Sequence, residues 1–235
     1  MIGPALIVCA ALALDVRTGA VVAPVSAGRD VDRPVLPLSV IKLYLAAVWW
    51  DRGMGGSLDD MLVDGLDAPA KERAVLLRKR FGGAAVLSDL RRYGLDSLTL
   101  APDADDEAWG TTLSIGEEHV TVTLLQVSRF LRTIASAQSD TARKLQAAMR
   151  DCVLRGTARS VAPKQAGASW QLGGKTGTGP AGRKPFDGWF AGLVFLAGEP
   201  RYTVAVYVDG QGPGGVAASL AAEIARTLSQ QRPPP

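Results

Sequence analysis

Ser39 and Lys42 stand three residues apart at the head of a segment that is apolar almost all round: Val40, Ile41, Leu43, Tyr44, Leu45, Val48, Trp49 and Trp50. At helical spacing their side chains share one face. A serine hydroxyl is a poor nucleophile until a base takes its proton. A lysine in an apolar, desolvated site has a lowered pKa and can be that base. A helix N-terminus beside the serine adds free N–H groups and partial positive charge, which favour a developing oxyanion. The pattern Ser-x-x-Lys is weak evidence alone, because composition yields it in about one of every two or three chains of this size. Its weight comes from the helix behind it, which has to be buried on nearly every side.

The second group is Gly173-Gly174-Lys175-Thr176-Gly177-Thr178-Gly179, at the point where strand-like sequence resumes. Lys-Thr-Gly-Thr arises by chance in well under about one chain in a hundred. A lysine and a hydroxyl on one strand edge suit a substrate carboxylate, and glycine there lets a ligand approach the backbone. A phosphate-binding loop does not fit, since Ser169 stands where its first glycine belongs. Cys9, Cys152 and His119 are the whole cysteine and histidine inventory, from which no zinc site can be assembled with ordinary spacing. Both cysteines lie in apolar periodic segments and read as core; nothing demands a disulfide. A histidine-based serine triad would have to use His119, in the polar stretch Glu117-Glu118-His119, so a hydrolase with this inventory takes its base elsewhere. No metal or cofactor is expected. The net charge of +3 is mild. The cluster Arg78-Lys79-Arg80 reads as a solvated helix face, and no nucleic-acid partner is expected.

The elements that position these residues follow from periodicity. The chain of 235 residues, 47% hydrophobic, suits a single domain. Ala5–Leu14 is too short to span a membrane and has no basic residue before it, so it reads as a buried strand and not as a signal peptide. It pairs with Ala20–Val25 across a turn at Gly19. Residues 57 to about 155 are mainly helical, with helix ends at Phe81-Gly82-Gly83 and Tyr93-Gly94. Trp189–Leu196 and Tyr202–Val208 form a second hairpin around Gly198-Glu199-Pro200-Arg201. Val216, Leu220, Ile224 and Leu228 stripe a closing helix. A lone hairpin is too small to be stable, so the two join in one antiparallel sheet. The expected fold is α/β of the α+β kind: a sheet lobe of residues 1–38 and 156–235, and an inserted, mainly helical lobe of residues 39–155.

Ser-x-x-Lys opening a buried helix, followed more than a hundred residues later by Lys-Thr-Gly opening a strand, resembles the penicillin-binding protein transpeptidase and serine β-lactamase-like superfamily. Nearly the whole chain takes part. Residues 12–23 look like the first hairpin of transpeptidase domains, and residues 115–126 like their loop-to-helix segment. Val153–Ala158, Gly174–Thr178 and Trp189–Gly192 are similar to their third-motif region, in order. The resemblance implies that Ser39 is acylated and Lys42 accepts its proton. Lys175 and Thr176 hold a substrate carboxylate beside Gly177, and the backbone N–H groups of Ser39 and Thr178 form the oxyanion hole. The implied partners are a peptidoglycan stem peptide or a β-lactam, with room for a protein partner, in an extracytoplasmic setting.

The family's middle motif, Ser-x-Asn, is missing, and the chain contains no asparagine at all. Its serine passes a proton to the leaving nitrogen and its asparagine holds the substrate amide. Gap-free matching anchored at Phe81-Gly82-Gly83 puts Pro69-Ala70-Lys71 there, with Lys71 as the only side chain able to donate. The deacylating glutamate of class A β-lactamases is not identifiable, since Glu107 sits in a loop-like acidic stretch. Three readings follow: a DD-peptidase or transpeptidase, a catalytically weak or inactive binding relative, and a β-lactamase-type hydrolase. Retention of Ser39, Lys42 and Lys175-Thr176-Gly177 favours the first.

Overall fold

The run Cys-Ala-Ala-Leu-Ala-Leu-Asp forms strand β1 (Cys9–Asp15), buried along its whole length. Its place explains that: in this computed structural model, which describes residues 9–26, 31–180 and 185–230, β1 lies inside a five-stranded sheet. It pairs antiparallel with β2 (Val21–Ser26) on one side and β5 (Glu199–Val208) on the other. Beyond β5 come β4 (Asp187–Leu196) and β3 (Trp170–Gly179), both antiparallel, so the order is β2-β1-β5-β4-β3 with β3 at an edge. The first turn is closed by the Asp15 carboxylate, which accepts from the N–H groups of Arg17 and Thr18, each at 2.9 Å.

One face of the sheet packs on helices. Leu12, Leu14, Trp189, Leu193 and Phe195 share a core with α1 (Ile41–Asp51), α3 (Asp67–Phe81), α4 (Gly83–Arg92), α5 (Asp106–Ser114), α6 (Leu124–Ser136) and α7 (Asp140–Leu154). The short helix α2 (Asp59–Leu62) precedes α3, and α8 (Ala162–Gln165) precedes β3. Helices α6 and α7, on the helical side of the expected division, themselves lie against the sheet. The other face carries α9 (Gly214–Gln230) over Phe190, Val194, Val204 and Val206.

The antiparallel α+β architecture agrees with the sequence, and two details differ. The second turn is shorter than expected, because Glu199 and Pro200 already belong to β5. Pro200 pairs with Phe195 where the register shifts, a place that tolerates a residue without an N–H. On α9 the fully buried stripe is Ala217, Ala218, Ala221, Ala222 and Ala225 with Leu228, while Val216, Leu220 and Ile224 flank it. Alanine lets the helix axis come close to the sheet, and the larger side chains then seal the margins. The first hairpin is seen from Cys9 onward; the expected strand residues before it lie outside the described residues.

Candidate active site

Ser39 does not open an α-helix. It sits in a single 3-10 turn, Leu38–Val40, that leads into α1. Leu38 before it has φ +51°, a left-handed conformation costly for a residue with a Cβ. Such strain persists only where surroundings impose it. Here the Leu38 N–H donates to Gly116 O at 3.3 Å, and a Cβ on Gly116 would fall 2.5 Å from Leu38 O. The approach to Ser39 is further fixed by a bridge between Val35 and Val122 and by the Trp189 indole N–H, which donates to Leu36 O at 2.8 Å. Leu38 carries no sequence signal for this role.

One turn on, Lys42 is fully buried, and its Nζ donates to Gly65 O at 2.8 Å and to Asp67 Oδ1 at 2.5 Å. Burial holds the ammonium below the ordinary lysine range, and Asp67 partly opposes that. The Asp67 side chain is itself 57% exposed. Gly65 and Asp67 reach Lys42 because residues 63–66 dock on the segment after α7. The Thr157 N–H donates to Val63 O at 3.1 Å, and Leu66 N–H turns back to Asp60 O at 2.9 Å. Gly65 has φ +78°, and a Cβ there would stand 2.9 Å from Thr157 Cγ2 and 3.5 Å from Lys175 Nζ.

The edge strand β3 forms the opposite wall. Lys175 is buried, with Nζ donating to Thr176 O at 3.1 Å. Burial pushes its pKa down to about 8; Cys152 and Asp67 pull it up, and the nearby Lys42 charge pushes it further down. The Thr176 hydroxyl donates to Thr157 Oγ1 at 2.7 Å, and Thr157 Oγ1 is 3.3 Å from Cys152 Sγ. Thr178 Oγ1 accepts from Gly214 N–H at 2.8 Å, tying the strand to the start of α9. At Gly177 an added Cβ would lie 3.1 Å from Leu38 Cβ and 3.3 Å from Ser39 N. The strand backbone thus runs past the nucleophile turn at a distance only glycine permits without displacement.

The structure therefore brings Ser39, Lys42, Lys175, Thr176, Gly177 and Thr178 to one cleft. Lys71 is elsewhere: its Nζ pairs with Glu107 Oε1 at 2.5 Å, and its stem packs on Gly110 of α5. The residues set against Lys42 are Gly65 and Asp67, not Lys71. Counting back from Phe81 stays inside α3, which begins at Asp67, whereas the wall of the cleft is made by the loop before it. Glu107 is not in a turn either; it lies in the first turn of α5, capped by Asp105, whose carboxylate accepts from Ala108 N–H at 2.8 Å. Cys9 and Cys152 are both buried free thiols.

These features agree with comparisons to known proteins. The family model described as penicillin binding protein transpeptidase domain matches residues 75–230, which include β3 and leave out Ser39, Lys42 and Asp67. Among solved structures, the chain is similar to the transpeptidase domain of FtsI4 D,D-transpeptidase from Legionella pneumophila, with 20% identity, TM-score 0.73, and 95% of this chain and 89% of that one covered. It is similar to the transpeptidase domain of Burkholderia pseudomallei penicillin-binding protein 3 at 19% identity and TM-score 0.74, covering 96% and 89%. PBPA from Mycobacterium tuberculosis gives 21% and 0.72, covering 94% and 77%. No curated protein sequence matches. With two thirds of its length matched by the family model and the sheet order and cleft in place, the chain belongs to the penicillin-binding protein transpeptidase domain family.

Proposed function

We propose that this chain is an acyl-serine enzyme acting on peptidoglycan-like peptides that end in D-Ala-D-Ala, as a DD-transpeptidase or carboxypeptidase. The observation that carries the reading is the buried Lys42 one turn behind Ser39, with the β3 backbone passing Ser39 N at Gly177. In the proposed reaction, neutral Lys42 Nζ takes the Ser39 hydroxyl proton as Oγ bonds to the penultimate carbonyl carbon. The oxyanion is met by the N–H groups of Ser39 and Thr178, aided by the local backbone dipoles. The C–N bond then breaks, the leaving D-alanine amine takes up a proton, and an ester remains on Ser39. An acceptor amine or water releases it. Lys175, buried on β3, supplies positive charge for the terminal carboxylate.

Relatives relay the leaving-group proton through a serine, and here Gly65 has no hydroxyl to offer. Loss of positioned acid–base help costs about a hundred- to ten-thousand-fold in rate. Acylation is accordingly expected to be slow. A second reading, a binding relative without turnover, draws on the Lys42–Asp67 ion pair, because an ammonium cannot act as base. The β-lactamase-type reading has less support, since Glu107 is engaged by Lys71 and Thr111 on the α3–α5 surface. An extracytoplasmic setting is part of this proposal, and the family resemblance supports it. The test is intact-mass analysis after incubation with benzylpenicillin. The whole ligand mass should appear on one peptide containing Ser39 and vanish in Ser39→Ala; labelling that persists in that variant would refute the assignment.

A further inference from the structure

The Lys42 pocket contains a carboxylate that the chemistry above does not use. Asp67 stands at the first position of α3, with Oδ1 2.5 Å from Lys42 Nζ. The two partners differ in environment: the lysine side chain is fully buried, whereas Asp67 is 57% exposed. Water therefore solvates the anion but cannot replace it beside the cation. The other acceptor at Nζ is Gly65 O, a neutral carbonyl. The charged and titratable groups facing this pocket are Asp67 from α3 and Lys175 from β3, with Cys152 of α7 behind Lys175. Among the described residues, only Asp67 offers Lys42 a formal negative charge at contact distance.

We propose that Asp67 is a positioning residue that governs the proton on Lys42, holding the ammonium form so that Ser39 is activated only once that ion pair gives up its proton to solvent. The inference rests on the reading of Lys42 as the base of Ser39. Deprotonation leaves Lys42 neutral, with its lone pair free for the serine proton, and leaves the Asp67 charge facing water. A carboxylate in contact with a buried amine favours its charged form, whereas an amide in the same place accepts the same hydrogen bond without the charge. Asp67 thus makes the site require more basic conditions than an amide would. Lys175, itself displaced to about 8 by burial, works in the opposite direction on Lys42 and does not cancel a contact ion pair.

The experiment is an NMR titration of the whole chain labelled with 13C at lysine Cε, with the Lys42 signal identified by its loss in Lys42→Met. Asp67→Asn should lower the Lys42 midpoint by about one to three pH units, the range for removing an adjacent opposite charge. Asp67→Glu should keep it near the wild-type value. Should Asp67→Asn fail to fold, Asp67→Ser serves, since serine is accepted at a helix start. A midpoint that stays in place or rises in the uncharged variants overturns the proposal. A merely structural role would change line widths or stability and leave the midpoint where it was. The rate of acylation by benzylpenicillin against pH is read alongside, and its rising limb should move down with the midpoint. A midpoint that moves while the limb does not upholds Asp67's hold on the Lys42 proton and removes Lys42 as the base, which overturns the proposed function and with it the link to Ser39.

Discussion

The two walls of the cleft are built on different terms. The β3 wall is a continuous strand whose residues Lys175 to Thr178 are fixed by the sheet ladder, by Thr157 and by the start of α9. It lies inside the stretch matched by the family model. The α3 wall is a loop, Val63 to Leu66, and the first residue of a helix, outside that stretch. It offers Lys42 a carbonyl and a carboxylate. On the strand wall a change of residue would disturb the ladder and the close pass at Gly177. The loop wall is held by backbone bonds to Asp59, Asp60 and Thr157 and by the buried Val63 side chain.

The largest effect that tests this contrast is on the strand wall. The unfolded chain holds the Lys175 proton up to about the ordinary lysine value of 10.5, and the folded chain loses it from about 8. Between these values the unfolded state binds more protons, so stability should rise with pH across that window, by about 3 kcal/mol. Urea unfolding from pH 7.5 to 10.5 should show the rise, and Lys175→Met should remove most of it, leaving what Lys42 and surface groups contribute. A wild-type profile that is flat there would mean that the strand wall is wetter than its burial indicates.

A smaller effect tests the loop wall. Gly65→Ser restores a hydroxyl at the residue beside Lys42, yet it asks a β-carbon to adopt φ +78° next to the Thr157 methyl. It should cost about 1–3 kcal/mol of stability by urea unfolding and should not speed acylation. A stable, faster Gly65→Ser variant would mean that the wall has lost one side chain and was not otherwise rebuilt. The smallest effect is expected at Lys71. Its pair with Glu107 is exposed, so Lys71→Ala should change stability by no more than about 0.5 kcal/mol and leave the acylation rate unaltered. A clear loss of acylation in that variant would bring the α3–α5 surface into the site after all.

Sequence alone determined the parts of this protein whose constraints are local. Ser39 and Lys42 announce themselves because three-residue spacing fixes a shared face and the apolar run behind them has to be buried. Lys175 to Thr178 do so because glycine between a lysine and hydroxyls on a strand is rarely fortuitous. The alternation and turn residues of the two hairpins were enough to require one sheet. Only the tertiary structure decided what stands against Lys42. Asp67 reads as an ordinary first-turn helix acid, and Gly65 as an ordinary turn glycine, until the docking of Val63 on Thr157 brings both to the lysine. The same holds for Leu38, strained by Gly116 from 78 residues away in the chain, and for the alanine face of α9. Long-range approach of backbones sets all three, and no spacing along the chain encodes it.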